Sequence, residues 1–249
     1  MNLCPGAIMK IGICTGGGDC PGLNAAIRAA VKHIKGTYGY EAIGIRDSFN
    51  GIMERPQRFA PLEFADVTDI LWKGGTILGT FSSGNPFADK ANKGKAIKDT
   101  LEGLKVAGID NILVIGGEGT QGIAALLSEH NLPLVGIPKT IDNDLPGTDF
   151  TIGFSTASDI VRDATEKLHS TAESHDRVMV LEVMGRNSGS IALEGGLSGG
   201  AHAILIPEIP FSIEEITKKI LTSDSPHPPI CSATANCVST TPCGLIASG

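Results

Sequence analysis

The chain has 249 residues, of which 41% are hydrophobic, and a formal net charge of −7. This length allows one large α/β domain or two smaller ones, each with a sizeable core. The negative charge argues against nucleic acid as a partner, which needs a basic surface, and no apolar run reaches the length of about 18 residues that a membrane span requires. The chain contains 32 glycines, which suits a protein with many tight turns and phosphate-binding loops.

Residues 1–8 are interpreted as an N-terminal extension, because the first predicted strand begins naturally at residues 9–12. They lack the basic and long apolar regions of a secretory signal. Cys14 falls in a predicted strand and Cys20 in a glycine-rich turn, which indicates reduced thiols and a cytoplasmic protein. The last three cysteines recur every six residues, a spacing unlike the CxxC pairs of structural zinc sites.

Short runs rich in Ile, Val and Leu alternate with amphipathic segments along most of the chain. Strands are predicted at residues 11–15, 41–45, 111–115, 132–137, 178–183 and 203–206. Helices are predicted at residues 23–35, 65–72, 92–107, 121–130 and 155–172. Several strands are apolar on both faces, as in parallel sheets. The expected fold class is therefore α/β, with a mostly parallel sheet covered by helices on both faces.

The composition changes near Thr222. Residues 223–249 contain one charged residue, Asp224, and are otherwise rich in Ser, Thr, Pro, Ala and Cys. They have no helical or strand period. We therefore divide the chain into the extension at 1–8, an α/β region at 9–222, and a tail at 223–249 outside that fold.

The first predicted strand runs into a glycine-rich loop at residues 15–22, followed by a helix. Glycines let backbone N–H groups approach an anion, and the helix adds the positive end of its dipole. The dinucleotide pattern GxGxxG would need glycine at Pro21, and the Walker pattern would need Lys and Ser or Thr at Leu23 and Asn24. The loop predicts phosphate binding without indicating a dehydrogenase or a P-loop enzyme.

A second glycine turn, at residues 116–120, contains one acid, Glu118. Beside a phosphate site, such an acid is suited to reach Mg²⁺ directly or through its waters. The alternative is an ordinary strand-to-helix turn, in which Glu118 lies favourably near a helix N-terminus.

The segment at residues 138–144 follows a predicted buried strand and contains Lys139, Asp142 and Asp144. Open α/β sheets gather their ligands at the carboxyl ends of strands, so a lysine and two carboxylates here predict the handling of a phosphate and a proton. The alternative is a solvated loop whose Asp and Asn side chains cap their own backbone.

Two arginines flank the strand predicted at 178–183. Arg186 follows it directly, with a guanidinium geometry suited to phosphate or carboxylate. Arg177 precedes it and is expected near its other end. Two such residues are difficult to bring to one ligand within a single subunit, whereas an oligomer could do so.

Six segments together resemble the 6-phosphofructokinases in order and spacing, over roughly residues 9–217. They are GGGDCPGLNAAIRA, GGTILGT, IGGEGT, GIPKTIDNDLPGTDFTIGF, ESHDRVMVLEVMGRNSG and GGAHAILIPE. The resemblance implies Mg²⁺-dependent transfer of a phosphoryl group from a donor to the 1-hydroxyl of fructose 6-phosphate. Such transfer needs in-line positioning, a metal, cations around the oxygens and a base for the nucleophile.

The resemblance also implies roles for individual residues. Asp142 resembles the catalytic base, with Thr140 and Arg186 as further catalytic residues, and Glu118 resembles the magnesium-associated acid. The positions that match the donor site are Gly18, Gly117, Glu118, Gly119, Thr120 and Lys139. The positions that match the sugar-phosphate site are Thr140, Ile141, Asp142, Arg177, Met184, Gly185 and Arg186. Arg177 resembles an arginine that reaches a neighbouring subunit, which implies a homodimer or homotetramer.

The donor implied by the resemblance depends on two positions. Pyrophosphate-dependent relatives usually have aspartate at the position of Gly119, so glycine favours ATP. Lys139 resembles the pyrophosphate-type and mixed branch, whereas typical bacterial ATP enzymes have glycine there. Together with Glu118, the pair resembles the ATP-using members of the mixed branch, and pyrophosphate stays open as the alternative.

The chain departs from the family in four places, one of which is Ser190, at a position where the mixed branch often has tryptophan. Residues 80–86 lack an arginine that many ATP-dependent relatives place in this loop. Past Pro207 and Glu208 the family continues into a second half, with further sugar-phosphate ligands, that has no counterpart here. Residues 223–249 resemble no part of the family, which leads to the hypothesis of a frameshift or premature end. A nucleotide-binding remnant without turnover is therefore an alternative to the active enzyme.

Overall fold

The computed structural model describes residues 8–81, 86–222, 228–235 and 237. The proposed extension therefore lies outside the described residues, apart from Ile8. The chain divides into two compact units, Met1–Thr140 and Ile141–Gly249. The predicted site residues are thus distributed between both units.

The first unit alternates strands and helices. Its strands are β1 (Lys10–Gly16), β2 (Glu41–Ile45), β3 (Phe59–Pro61), β4 (Asn111–Gly116) and β5 (Leu134–Thr140). Its helices are α1 (Leu23–Tyr38), α2 (Asn50–Met53), α3 (Lys93–Ala107) and α4 (Glu118–Glu129). These strands lie side by side in the order β3-β2-β1-β4-β5, and all the pairs except β2–β3 are parallel. The predicted mostly parallel α/β architecture is confirmed.

The core of the first unit follows from the strands being apolar on both sides. Cys14 and Val114 pack with α3 and α4 into one cluster. Their neighbours Ile13 and Ile115 are also fully buried, and because side chains alternate along a strand they lie on the opposite face of the sheet. Helix α1 contacts β1 and β2 through a buried stripe, and it ends at Gly39 in the left-handed conformation.

The strand order places a topological switch point at β1. From β1 the chain crosses to β2 on one side, and the later strands β4 and β5 are added on the other side. In open α/β sheets, ligands bind outside the carboxyl ends of the strands at such a point. The fold therefore directs attention to the loops that follow β1 and β4.

The second unit has a smaller sheet. Its elements are β6 (Ile152–Gly153), α5 (Phe154–His175), β7 (Met179–Val183), α6 (Ser190–Ser198), β8 (Ala203–Leu205), α7 (Ile213–Leu221) and β9 (Ile230–Thr234). Strands β7, β9 and β8 form a parallel sheet in that order. Helices α5 and α6 pack closely. Gly195 of α6 lies so near to α5 that a Cβ added there would be only 2.5 Å from the Val161 Cβ. Val161, Val183 and Ile191 belong to the core of this unit.

Three sequence expectations differ from the structure. The helix predicted at 65–72 is wrong: only a 3₁₀ turn, Ala65–Val67, forms. The buried Asn24 side chain donates to the carbonyls of Lys73 and Gly74, which stabilises an irregular loop there. Strand β3 contains a proline, which is tolerated at the sheet edge that β3 occupies.

The strand predicted at 132–137 is shifted and only partly buried. It continues to Thr140, because its pairing with β4 extends to Pro138 opposite Gly116. Val135 is 62% exposed, which contradicts the expectation of a buried strand. Lys139 and Thr140 therefore belong to the strand itself.

The composition of residues 223–249, which has no strand period, did not predict the strand β9 that the structure places there. Strand β9 is buried at all five positions and lies between β7 and β8. A central strand covered on both faces needs no alternating pattern. The small residues of β9 allow close packing: Gly196 lies so near to Ser232 that a Cβ added at Gly196 would be 2.9 Å from the Ser232 Cβ. Most of the other tail residues lie outside the described part of the chain, so the domain boundary and the frameshift remain predictions.

Cys14 gives the first unit a testable pH dependence. Burial raises the pKa of its thiol from the ordinary 9.0 to about 12, against a smaller lowering by the hydroxyl of Ser48. Above pH 9 the unfolded chain loses this proton and the folded chain keeps it. The free energy of unfolding should therefore fall by about 1.4 kcal/mol per pH unit between pH 9 and 12 from this group. Urea titrations of the wild type and Cys14→Ala should show the steeper loss in the wild type, and equal slopes would contradict the assignment.

None of the helices in the described ranges is long and apolar enough to cross a membrane.

Candidate functional site

The loops at the switch point are brought together by strand register. Gly16 of β1 pairs with Gly116 of β4, and Gly116 pairs with Pro138 of β5. The glycine loop after β1, the start of α4 and the end of β5 therefore lie along one edge of the sheet. This edge contains all the residues that were predicted to bind the donor.

The glycine loop adopts a conformation that requires glycine. Gly17 has a φ of 83°, in the left-handed region. A Cβ at Gly17 would lie 3.6 Å from the Lys139 Nζ and 3.7 Å from the Thr120 Oγ1. A Cβ at Gly18 would meet nothing within 4 Å. The loop thus packs against Lys139 and Thr120 on one side and borders open space at Gly18.

Lys139 is a buried lysine, only 3% exposed. Its Nζ donates a hydrogen bond to the Gly18 carbonyl at 2.8 Å, which offsets part of the cost of burying an ammonium group. This contact connects the end of β5 to the glycine loop, 121 residues earlier in the chain. Gly18 and Lys139, both predicted from sequence to bind the donor, are in direct contact.

The start of α4 is open for a ligand at its first two residues. Gly117 precedes the helix with no side-chain cap, and a Cβ at Gly119 would meet nothing within 4 Å. Glu118 and Gly119 are exposed. Thr120, in contrast, is buried against the strands: a Cβ at Gly16 would lie 2.6 Å from its Oγ1. Thr120 therefore packs the start of α4 against the sheet edge.

A metal ion at this edge would depend on few protein ligands. No group of three or more His, Cys, Asp or Glu able to hold a metal occurs among the described residues. Glu118 supplies one exposed carboxylate at the start of α4. This fits Mg²⁺, which usually keeps several waters and binds through one or two carboxylates plus substrate phosphates.

In the second unit, Ser188 joins two of the predicted segments. Its hydroxyl donates to the Asp142 carbonyl at 2.7 Å, and its backbone N–H closes a turn onto the Gly185 carbonyl at 2.8 Å. Arg186 lies within this turn with a φ of 52°. The structure therefore brings the Asp142 segment to the turn that contains Gly185 and Arg186. Met184, just before the turn, is 69% exposed.

The residues next to Asp142 hold its segment in place. Ile141 packs against the core of the second unit. Asn143, at a φ of 50°, accepts a hydrogen bond from the Thr151 N–H at 2.9 Å and donates to the Asp149 carbonyl at 3.2 Å. Asn143 therefore bonds to the backbone six and eight residues further along the chain. Asp142 itself is half-buried.

Arg177 lies away from the other predicted residues of its unit. It is exposed, directly after α5, and its N–H donates to the Ala172 carbonyl. The five residues of β7, about 17 Å of extended chain, separate the two ends at which Arg177 and Arg186 lie. Arg177 and Arg186 therefore lie at opposite ends of β7.

Sequence reasoning missed three residues that hold these loops. They are Asn24, which is buried and binds residues 73–77, Thr80, whose hydroxyl donates to the Gly17 carbonyl, and Ser188. Thr80 and Ser188 belong to segments that were recognised, but which carbonyl a hydroxyl reaches is set by tertiary packing. The loop at 80–86 that lacks an arginine is described only at 80–81 and 86.

Comparison with known proteins gives consistent matches. The phosphofructokinase family pattern matches residues 10–231. The chain is 48% identical over 219 residues to the ATP-dependent 6-phosphofructokinase 1 of Synechocystis sp., covering 86% of this chain and 61% of the relative. It is 50% identical over 209 residues to the pyrophosphate–fructose 6-phosphate 1-phosphotransferase of Streptomyces coelicolor, covering 84% and 59%. The chain thus spans about 60% of the length of these relatives.

Solved structures give a similar result. The phosphofructokinase of Saccharomyces cerevisiae superposes with a TM-score of 0.79 at 29% identity, over 90% of this chain and 33% of that one.

Proposed function

Since the chain belongs to the phosphofructokinase family, we propose that it acts in Mg²⁺-dependent transfer of the ATP γ-phosphoryl group to the 1-hydroxyl of fructose 6-phosphate. The observation that carries this proposal is the meeting of the glycine loop, the start of α4 and Lys139 at one sheet edge. That edge offers backbone N–H groups, a helix N-terminus and a lysine, which suit the phosphates of a donor.

The proposed roles divide along the two units. In the first unit, Glu118 would hold Mg²⁺ through its carboxylate or its waters, and the ion would spread the charge of the transferring phosphoryl group. The donor phosphates would bind along Gly18, Gly117, Gly119, Thr120 and Lys139. Thr140, the last residue of this unit, is proposed to assist catalysis beside the base.

In the second unit, Asp142 is proposed as the base that accepts the proton of the attacking hydroxyl. Arg186 would neutralise phosphate oxygens from the turn that Ser188 fastens to the Asp142 carbonyl. Ile141, Met184 and Gly185 complete the proposed sugar-phosphate contacts.

We further propose a homodimer or homotetramer in which Arg177 reaches the site of a neighbouring subunit. Its exposure after α5 supports this arrangement. The buried, free thiols of Cys14 and Cys231 support a cytoplasmic location.

The donor is proposed to be ATP, on the basis of Gly119. Pyrophosphate is a second candidate because Lys139 contacts the glycine loop, where a lysine could hold a leaving phosphate as a point charge. Relatives named for either donor are about equally identical to this chain over the aligned residues, at 48% and 50%, so overall identity does not discriminate between the donors.

The proposal is tested by assaying fructose 1,6-bisphosphate formation by the purified chain with each donor, with and without Mg²⁺. Calorimetric binding of each donor is measured in parallel. We expect Mg²⁺-dependent turnover with ATP. Donor binding without turnover at high protein concentration would instead favour a nucleotide-binding remnant, and binding of neither donor would refute the proposal.

Replacing Gly119 with aspartate should shift donor preference. The position is open and is the second residue of α4, so the fold should tolerate a side chain there and the helix dipole should favour a carboxylate. A like charge close to the α-phosphate of ATP should weaken ATP binding by about tenfold to hundredfold. Pyrophosphate has no third phosphate close to position 119, so the affinity for pyrophosphate should fall by less than about threefold.

The matched control is Gly119→Asn, which has the same shape without the charge. Calorimetry should give an ATP affinity for this variant within about threefold of the wild type. Equal losses for both donors in Gly119→Asp, or equal ATP losses in the two variants, would contradict ATP as the preferred donor.

A further inference from the structure

Two consecutive carbonyls of the glycine loop are each held by a side chain from a different segment. The Gly17 carbonyl accepts a hydrogen bond from the Thr80 Oγ1 at 2.6 Å. The Gly18 carbonyl accepts one from the Lys139 Nζ at 2.8 Å. The loop therefore has its oxygens fixed from outside, although its glycines have no side chains to fix them.

Fixing a carbonyl also fixes the amide that follows it. The peptide group is planar and trans, so the C=O of one residue and the N–H of the next point in opposite directions. Thr80 thereby orients the Gly18 N–H away from itself, and Lys139 does the same for the Asp19 N–H. A backbone N–H group held in one orientation can contribute to an anion-binding concavity. The open space beside Gly18 gives a ligand room to approach.

The hydroxyl of Thr80 is presented by a loop that is itself fastened to the sheet and to α1. The buried Thr15 donates to the neighbouring Gly79 carbonyl at 2.8 Å. Four residues before Thr80, the Thr76 hydroxyl bonds the Thr15 hydroxyl at 3.0 Å. The Ile77 N–H donates to the buried Asn24 side chain at 2.8 Å. These hydrogen bonds fix the loop and with it the position of the Thr80 hydroxyl.

We propose that Thr80 is a positioning residue for donor binding: by holding the Gly17 carbonyl, it aims the Gly18 amide at a phosphate of the donor. Lys139 performs the same task at the next peptide. The proposed role of Thr80 rests on the proposed function in one respect: the ligand is taken to be a phosphoryl donor. The orientation of the Gly18 amide is a property of the ligand-free chain.

The test compares Thr80→Val, which keeps the shape and loses the hydroxyl, with Thr80→Ser, which keeps the hydroxyl. Calorimetry with MgATP and with pyrophosphate measures affinity in the full chain. In Thr80→Val, the loss of one positioned hydrogen bond should lower the affinity for the preferred donor by about fivefold to tenfold. Thr80→Ser should stay within about twofold of the wild type. The amide chemical shift of Gly18 in the ligand-free chain should move in Thr80→Val and return in Thr80→Ser.

The matched control is Thr76→Val, which removes a hydroxyl of the same loop that contacts Thr15 and the Leu78 N–H. It should lower the unfolding temperature and change donor affinity by less than about twofold. Equal affinity losses in Thr76→Val and Thr80→Val would overturn the proposal, because loop stability alone would then explain both. An unchanged Gly18 amide in Thr80→Val would overturn it whether or not a donor binds. Absence of donor binding in the wild type would refute the proposed function, while the amide shift would still decide the role of Thr80.

Discussion

Replacing Asp142 with asparagine is expected to lower the rate of phosphoryl transfer to fructose 6-phosphate by about 10²-fold to 10⁴-fold. The amide of asparagine has nearly the shape of the carboxylate but cannot accept the proton of the attacking hydroxyl. A positioned base contributes a rate factor of this size, so the loss should appear in kcat and not in the affinity for the donor.

The structure explains why this substitution should leave the fold intact. The contact that fastens the Asp142 segment to the Gly185–Ser188 turn uses the backbone carbonyl of Asp142, which asparagine retains. The loop that follows is held by the side chain of Asn143, and the segment is anchored by Ile141. The free energy of unfolding should change by less than about 0.5 kcal/mol.

The rate is measured in the chain as it stands and in a fusion that extends it with the C-terminal part of the Synechocystis relative. The matched control is Asp149→Asn, an exposed carboxylate on the same loop, which should retain turnover. Near-normal turnover of Asp142→Asn in either protein would remove the base assignment. A similar loss in both variants would indicate a disturbed loop.

Most of the fold was predictable because a parallel strand has a strong local pattern. The apolar runs that become β1, β2 and β4 were located to within about one residue, since strands covered on both faces must be apolar on both. Strand β9 could not be found this way. Its short run contains Cys, Ser and Thr, and only its neighbours β7 and β8 make it a central strand.

The candidate site was predictable where a residue type itself carries chemistry. Lys139 and Glu118 could be selected because a lysine and an acid beside glycines suggest phosphate and metal binding. Thr80 and Ser188 could not, because a hydroxyl acts here by reaching one particular carbonyl from a segment distant in sequence: 63 residues for Thr80 and 46 for Ser188. Such contacts exist only once the sheet register is set.

The start of α4 depends on one glycine, and replacing Gly116 with alanine should destabilise the first unit by about 3 kcal/mol. Gly116 is buried at the end of β4, between β1 and β5. An alanine Cβ there would lie 2.4 Å from both the Cβ and the Cγ2 of Thr120, far inside van der Waals contact. Since both β4 and α4 are fixed by their packing, relief requires the start of α4 to move away from the sheet edge.

Urea unfolding of the full chain measures this effect, and Gly122→Ala provides the matched control. Gly122 lies in the same helix, where a Cβ would meet nothing within 4 Å, so alanine there should stabilise by about 0.5–1 kcal/mol through helix propensity. Thr120→Ala removes part of the clash. A double-mutant cycle should therefore show that Thr120→Ala lowers the free energy of unfolding less in the Gly116→Ala background than in the wild type. Two results would contradict this expectation: an unchanged free energy of unfolding in Gly116→Ala, or effects of Gly116→Ala and Thr120→Ala that simply add. Either result would show that the close approach of Thr120 to β4 does not stabilise this edge of the sheet.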